Sequence, residues 1–177
     1  SMKNVIPSLY WGFGNTFTYK NWDLDVFIYS QLGVDKYNDV YSWTSGRGLG
    51  NQTNNMSVYI KDVWHSELNP NGTIPGIAYE MASVSLPGGA GTDIGYENSS
   101  FVRVRNITLG YNFKPNQLGA LSKLLSGIRV YVDVQNPFTF TGYTGLDPEV
   151  NTGGNYKGGK AEYPQTRTFS LGAKLSF

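Results

Sequence analysis

Thr168-Phe169-Ser170-Leu171-Gly172-Ala173-Lys174-Leu175-Ser176-Phe177 separates into two sets when every second position is taken. Phe169, Leu171, Ala173, Leu175 and Phe177 are apolar; Thr168, Ser170, Gly172, Lys174 and Ser176 are polar or small. Strict period-two alternation is the pattern of a β-strand with one apolar and one polar face. A transmembrane barrel strand is about ten residues long, apolar toward lipid and small or polar toward a lumen. A terminal edge strand of a soluble sandwich fits the same pattern, so the other strands have to decide. Chain ends usually fray. An aromatic residue of the apolar set at position 177 is an ending seldom expected of a soluble domain.

The same alternation recurs upstream. Leu9, Trp11, Phe13, Phe17 and Tyr19 share one parity, broken by Asn15, against Tyr10, Gly12, Gly14, Thr16 and Thr18. Lys20-Asn21 is a polar break, after which Trp22, Leu24, Val26 and Ile28 oppose Asp23, Asp25, Phe27 and Tyr29. Two strands joined by two residues make a hairpin. Glycines on its polar face suit a wide lumen or a close neighbour. Ile107, Leu109, Tyr111 and Phe113 alternate with Thr108, Gly110 and Asn112, ended by Lys114-Pro115. Arg103 and Arg105 carry the parity of that apolar set, a costly placement at mid-bilayer and a cheaper one near the rim. Ile128, Val130, Val132 and Val134 oppose Arg129, Tyr131, Asp133 and Gln135, with Pro137 confined to an edge, bulge or strand end. Short helices are expected over residues 55–65, where Met56, Tyr59, Ile60, Val63 and Trp64 recur at helical spacing, and over 117–125. Residues 68–72 read as a turn.

The fold class this predicts is all-β. It is an antiparallel up-and-down meander of about five strands near 8–20, 22–32, 101–113, 128–140 and 167–177. Residues 33–100 and 141–165 are long loops containing short helices. Connections after the first and third strands are short, and those after the second and fourth are long. In an antiparallel meander this puts short turns at one end and long loops at the other, as in outer-membrane barrels with short periplasmic turns and long extracellular loops. A soluble sandwich gives no reason for that asymmetry.

Composition agrees. Of 177 residues only 15% are charged, against about 25% in ordinary domains, while Gly numbers 22 and Tyr 13. A net charge of +1 supplies no basic field for nucleic acid, so no nucleic-acid partner is expected. The absence of cysteine removes disulfides, thiolate metal sites and thiol nucleophiles. His65 is the single histidine, which disfavours a His-based metal cluster or triad. No apolar run is long enough for a transmembrane helix. No secretory leader opens the chain, so an export signal is expected elsewhere and the chain is read as a fragment.

Four ordered stretches carry a resemblance to a known family: 17–27, 102–113, 130–143 with Gly145-Leu146-Asp147-Pro148-Glu149, and 163–169. Val63-Trp64 and Asn69-Pro70 sit where that family has a Trp-containing segment in a long loop. The chain resembles the C-terminal barrel segment of SusC/RagA-type TonB-dependent outer-membrane transporters of Bacteroidetes over nearly its whole length. The resemblance implies a 22-stranded, plugged barrel, with this chain as its last five strands and the plug and TonB contact N-terminal to it. It implies uptake of oligosaccharide or peptide fragments in the cell outer membrane, a SusD-like lipoprotein lid, a TonB complex as energy partner, no cofactor and no enzyme activity. The terminal strand would carry the barrel-assembly signal through Phe169, Leu171, Leu175 and Phe177.

Candidate sites follow from that reading. Solute contacts would come from loop aromatics: Tyr41, Trp43, Trp64, Tyr79, Tyr96 and Tyr143. The alternative for each is packing of the loops or contact with the lid. Trp11, Trp22, Phe169 and Phe177 read as girdle or lipid-facing residues. Asp147 and Glu149, either side of Pro148, can offer oxygen ligands to Ca²⁺, though such a pair more often caps a turn. Asp23, Asp25, Asp133 and Lys174 fall on the lumen face, where they can pair with the plug. Gly46-Arg47-Gly48-Leu49-Gly50 lacks the Lys-Ser/Thr ending of a phosphate loop. The rival functions are a soluble carbohydrate-binding β-sandwich module and, less well supported, a hydrolase using Asp147 and Glu149. A wall needs detergent, whereas a sandwich is soluble and monomeric. Taken alone, a five-strand wall has two unpaired edges and is expected to self-associate.

Overall fold

The computed structural model describes residues 3–38, 57–73, 95–150 and 163–177. The chain divides into two units, one of residues 7–33, 100–142 and 165–177, the other of 1–6, 34–99 and 143–164.

The first unit is a five-stranded antiparallel sheet. Its strands are β1 (Leu9–Tyr19), β2 (Trp22–Leu32), β5 (Phe101–Phe113), β6 (Gly127–Thr141) and β7 (Thr168–Ser176), adjacent in that order. β3 (Asp35–Tyr37) and β4 (Tyr96–Asn98) belong to the other unit. β1 and β2 pair from Tyr19↔Trp22 to Leu9↔Leu32 without a slip, across a tip where Lys20 takes a left-handed φ of 56°. A positive φ in a two-residue turn lets the strands keep their twist. The register puts the apolar parities of all five strands on one face. Phe17, Leu24, Leu109, Val132 and Leu171 form one cross-strand row, and Tyr19, Trp22, Tyr111, Val130 and Ala173 the next. This face is open: Phe17 is 58% exposed, Leu109 45% and Leu171 77%. A sandwich would have buried it. An apolar face of this extent left uncovered is a binding or membrane surface.

Arg103 and Arg105 do not lie where their parity predicted. The pairing of β5 skips Arg105, passing from Asn106 to Val104 against both β2 and β6. Arg105 is the extra residue of a β-bulge, and one extra residue exchanges the faces of everything beyond it. Val102 and Val104 therefore join the apolar face, and Phe101 and Arg103 the polar one. Arg103 is 1% exposed. Its Nε donates to Thr139 Oγ1 at 2.9 Å, and its guanidinium lies 5.3 Å from the Phe101 ring centroid. Arg105 Nη1 donates to Asn136 Oδ1 at 3.3 Å, and the guanidinium lies 5.8 Å from the Tyr29 ring centroid. The charges that would have been costly in lipid are carried to the other face. β6 passes two residues, Asn136 and Pro137, across the same level, with Asn136 at φ 49°. The bulge gives Pro137, which has no N–H, a place outside the ladder.

At the short-turn end the sequence predicted a helix over 117–125. The structure has two 3-10 turns, Pro115–Gln117 and Gly119–Lys123. Pro115 has no N–H and presets φ at the first position, and Gly119 opens the second turn at φ 55°. Gln117 knits this end together. Its Oε1 accepts from Asn21 Nδ2 at 2.8 Å and from the Lys114 N–H at 3.0 Å, and its Nε2 donates to the Tyr111 hydroxyl at 3.2 Å.

In the second unit, residues 33–100 are not wholly without strands. Asp35–Tyr37 (β3) pairs antiparallel with Tyr96–Asn98 (β4). Three-residue strands are too short to show a period, which is why the sequence showed a loop here. The helix expected over 55–65 is a 3-10 helix at Val58–Asp62, within the described part of that range. It leads into a turn in which His65 and Asn69 exchange backbone hydrogen bonds of 3.0 and 3.1 Å. His65 Nδ1 accepts the N–H groups of Glu67 and Leu68, and Asn69 Nδ2 donates to the carbonyls of Lys61 and Val63.

Candidate functional site

The sheet presents two chemically opposite surfaces, and each is a candidate for a different task. On the apolar face the rings lie toward both ends. Tyr19, Trp22, Tyr111 and Phe113 share the short-turn end, where Trp22–Tyr111 and Tyr111–Phe113 meet edge to face at 4.8 and 4.7 Å. Trp11, Phe13, Phe138 and Phe140 share the rows beyond the bulges. Aliphatic Val26, Leu24, Ile107, Leu109, Val132, Val134 and Leu171 lie between, with Phe17 and Phe169. Trp11 to Tyr19 along β1 spans about 26 Å at the usual rise per residue, close to the apolar band of an outer-membrane strand before tilt is allowed for. Phe177 lies past β7 and is 89% exposed.

On the polar face three of the four predicted lumen charges, Asp23, Asp25 and Asp133, have side-chain partners within the sheet. Arg129 on β6 reaches across β5 to Asp23 on β2. Its Nε lies 3.2 and 3.1 Å from the two carboxylate oxygens, and its Nη2 also bonds Oδ2. Asn112 Nδ2 adds a 2.6 Å bond to the same carboxylate. Gly110 is what lets the pair cross, since a methyl there would sit 2.5 Å from Asp23 Oδ2 and 2.7 Å from Arg129 Nε. Asp25 accepts from the Thr16 hydroxyl, and Asp133 accepts from the Thr108 hydroxyl at 2.6 Å. Asp23 was expected to be available for a plug, and within the sheet it is already neutralised. The polar parity of Arg129 was legible in the sequence. Its partner two strands away was not, because that requires the register. Lys174 is the Cα partner of Arg129 on the edge strand.

The glycines of this face give close approach. The Phe27 ring lies 3.4 Å from where a Cβ would stand on Gly12 and on Gly14, and the Tyr131 ring covers Gly172 at 2.4 Å. Farther up, Phe27 and Tyr29 stack in parallel at 6.5 Å, and Tyr29 meets Phe101 edge to face at 5.5 Å. Rings and guanidinium groups thus run up the polar face toward the long-connection end.

Of the six aromatics expected to contact solute, all of which fall in the second unit, three are among the described residues. Trp64 is 48% exposed. Tyr96 meets Tyr37 edge to face at 5.3 Å. Tyr143 is 9% exposed, with Lys36 Nζ 5.8 Å from its ring centroid. Tyr41, Trp43 and Tyr79 lie outside the described residues. Asp147 Oδ1 accepts the Glu149 N–H at 2.8 Å, closing the turn around Pro148, while Lys36 Nζ donates to the carbonyls of Asp147 and Pro148. Glu97 accepts from Asn38 Nδ2 and from the N–H and hydroxyl of Thr144. Among the described residues no three His, Asp or Glu side chains gather as a metal site would require.

Comparison with known proteins bears on the whole arrangement. No family model matches the chain. It is 31% identical over 179 residues to TonB-dependent receptor P3 of Formosa agariphila, covering 97% of this chain and 16% of that protein. It is 33% identical over 168 residues to TonB-dependent receptor SusC of Bacteroides thetaiotaomicron, covering 94% of this chain and 15% of SusC. The structure of the RagAB peptide importer in its closed-closed state matches with a TM-score of 0.75 at 27% identity, over 99% of this chain and 18% of that one. The chain thus spans about a sixth of the length of its curated relatives. The five-strand meander, its uncovered apolar face and its self-paired polar face are what a piece of receptor barrel requires. The chain belongs to the TonB-dependent receptors of the SusC and RagA type, and its sheet is a stretch of the wall of that outer-membrane barrel.

Proposed function

We propose that this chain is the C-terminal wall of a transporter that imports oligosaccharide or peptide fragments across the outer membrane. The observation that carries the reading is the two-faced sheet: apolar outward between two levels of rings, polar and internally paired inward. The short turns face the periplasm, and residues 33–100 and 141–165 form the extracellular side, under a SusD-like lipoprotein lid. The TonB complex engages a part of the receptor outside this chain. The segment carries no catalytic step. Its strands hold the lumen open, and Phe169, Leu171, Leu175 and Phe177 mark the terminal strand for barrel assembly.

Solute contact falls to the second unit. Trp64 keeps an exposed ring there, whereas Tyr96 and Tyr143 are engaged in packing and support that surface. Gly72 holds Trp64 in place, since any side chain on it would meet the Trp64 backbone nitrogen at 2.6 Å. The test is uptake of labelled oligosaccharides and peptides by cells carrying the whole receptor, with Trp64→Ala beside the parent. Loss of uptake by at least about tenfold at unchanged receptor level is expected if a stacking contact of about 1.5 kcal/mol is removed. Unchanged uptake of every solute would remove Trp64 from the path. A receptor that transports nothing in any background would overturn the reading as a whole.

A further inference from the structure

The short-turn end has a composition unlike the rest of the chain. The two short connections, residues 20–21 and 114–126, contain Lys20, Lys114 and Lys123 and no acidic residue. The long stretch 33–100 holds more acidic than basic side chains. None of the three lysines is in an ion pair among the described residues. Leu121 and Leu124, either side of Lys123, are 51% and 73% exposed.

The surroundings fix the level at which these groups stand. Lys20 Nζ lies 5.2 Å from the ring centroid of Tyr19, on the last apolar row of the β1–β2 hairpin. The hydroxyl of Tyr111, in the same row, is held by Asn21 Nδ2 at 3.3 Å and Gln117 Nε2 at 3.2 Å. Polar turn atoms therefore meet the apolar face at one row of rings, which is where a bilayer's interface falls. Lysines at that level extend along apolar surface and place their ammonium groups among headgroups. Exposed leucines in the same turn continue the apolar surface beyond the strands.

We infer that this end of the wall is a docking surface for anionic phospholipid headgroups, with Lys20, Lys114 and Lys123 binding phosphate and Leu121 and Leu124 entering the acyl boundary. The occupant follows from charge complementarity and from continuity with the lipid-facing sheet. The inference rests on the membrane-wall reading. It adds a preference among lipids that a wall does not by itself require.

The test uses the whole receptor in nanodiscs of equimolar phosphatidylethanolamine and phosphatidylglycerol. Lipids retained on gentle extraction are measured by native mass spectrometry. The parent should be enriched in phosphatidylglycerol. The preference should fall by roughly fivefold for each lysine replaced by alanine. Replacement of all three by arginine should keep it, and Leu121→Ser with Leu124→Ser should weaken retention of both lipids. Lys123→Ala alone, in a turn outside the ladder, serves if the triple variant does not fold. Equal retention of the two lipids by the parent, or enrichment unchanged in the lysine variants, overturns the inference. So does loss of a soluble protein partner from those variants with lipid enrichment intact. A receptor that enters no nanodisc of any composition overturns the wall reading instead.

Discussion

Gly110→Ala is the substitution in which two ordinary effects oppose each other and the structure decides the sign. Replacing glycine by alanine in a strand normally stabilises by about 0.5–1 kcal/mol, because the unfolded chain loses freedom. At Gly110 the added methyl would stand 2.5 Å from Asp23 Oδ2 and 2.7 Å from Arg129 Nε, about 1 Å inside ordinary contact. The obstacles are the ends of flexible side chains, so they can yield, but only by giving up the bonds that join them. Hydrogen bonds to charged groups are worth about 1.5–3 kcal/mol. With Arg129 27% and Asp23 13% exposed, screening reduces this toward the exposed-pair range, leaving a loss of about 2 kcal/mol. The net expectation is destabilisation by about 1 kcal/mol. In a background already carrying Asp23→Asn and Arg129→Gln there is no ion pair to displace, and Gly110→Ala should be neutral or stabilising. The assay is urea unfolding of the whole receptor refolded in detergent, followed by tryptophan fluorescence, as a cycle between the two backgrounds. Stabilisation by Gly110→Ala in the parent, or an equal effect in both backgrounds, would refute the reasoning.

Single cysteines along β5, in a chain that has none of its own, should report lipid exposure at 102, 104, 107 and 109 and water exposure at 103, 106 and 108. An alternation that ran through 105 without changing phase, as read by oxygen and nickel accessibility of spin labels, would remove the bulge. Leu109→Arg should cost about 2–4 kcal/mol if it lies near the bilayer midplane, in the same unfolding assay. Gly172→Ala, with the Tyr131 ring 2.4 Å from the added carbon, should destabilise by about 1–2 kcal/mol, and Tyr131→Ala should abolish that effect. Gly14→Ala, where the nearest atom is at 3.4 Å, should stay within about 0.5 kcal/mol of the parent, and an equal cost at both glycines would contradict the close-approach account.

Much of the sheet was legible because a two-faced strand repeats its chemistry at every second residue. β7 and the β1–β2 hairpin show this without interruption, and the connection lengths ordered the strands. Legibility ended where the information lies between strands. Arg103 and Arg105 broke the parity of β5, and that break was the mark of the bulge. A single strand cannot say whether a misplaced charge means a rim position or an extra residue, because only the pairing distinguishes them. The Asp23–Arg129 pair was hidden for the same reason: its members are 106 residues apart and meet through a glycine on a third strand. The β3–β4 ladder left no trace because three residues contain barely one period. The 3-10 turns near Val58 and Gly119 satisfy a helical spacing over one turn, too short for an α-helix to be told from its tighter relative.

The bulges at Arg105 and Asn136 also set how the wall is cut. Between the Asn15–Val26–Ile107–Val134 row and the Phe13–Ile28–Val104–Phe138 row, β2 advances two residues, β5 three and β6 four. At the usual rise per residue these are contour lengths of about 7, 10 and 13 Å, in strands about 4.8 Å apart. Cloth sewn with such a gusset cannot lie flat: the part above the seam must splay or turn relative to the part below. The height of the rim is thereby set independently of the slope of the belt beneath it. Insertions above the seam can change how the mouth is framed and leave the rows below it in register.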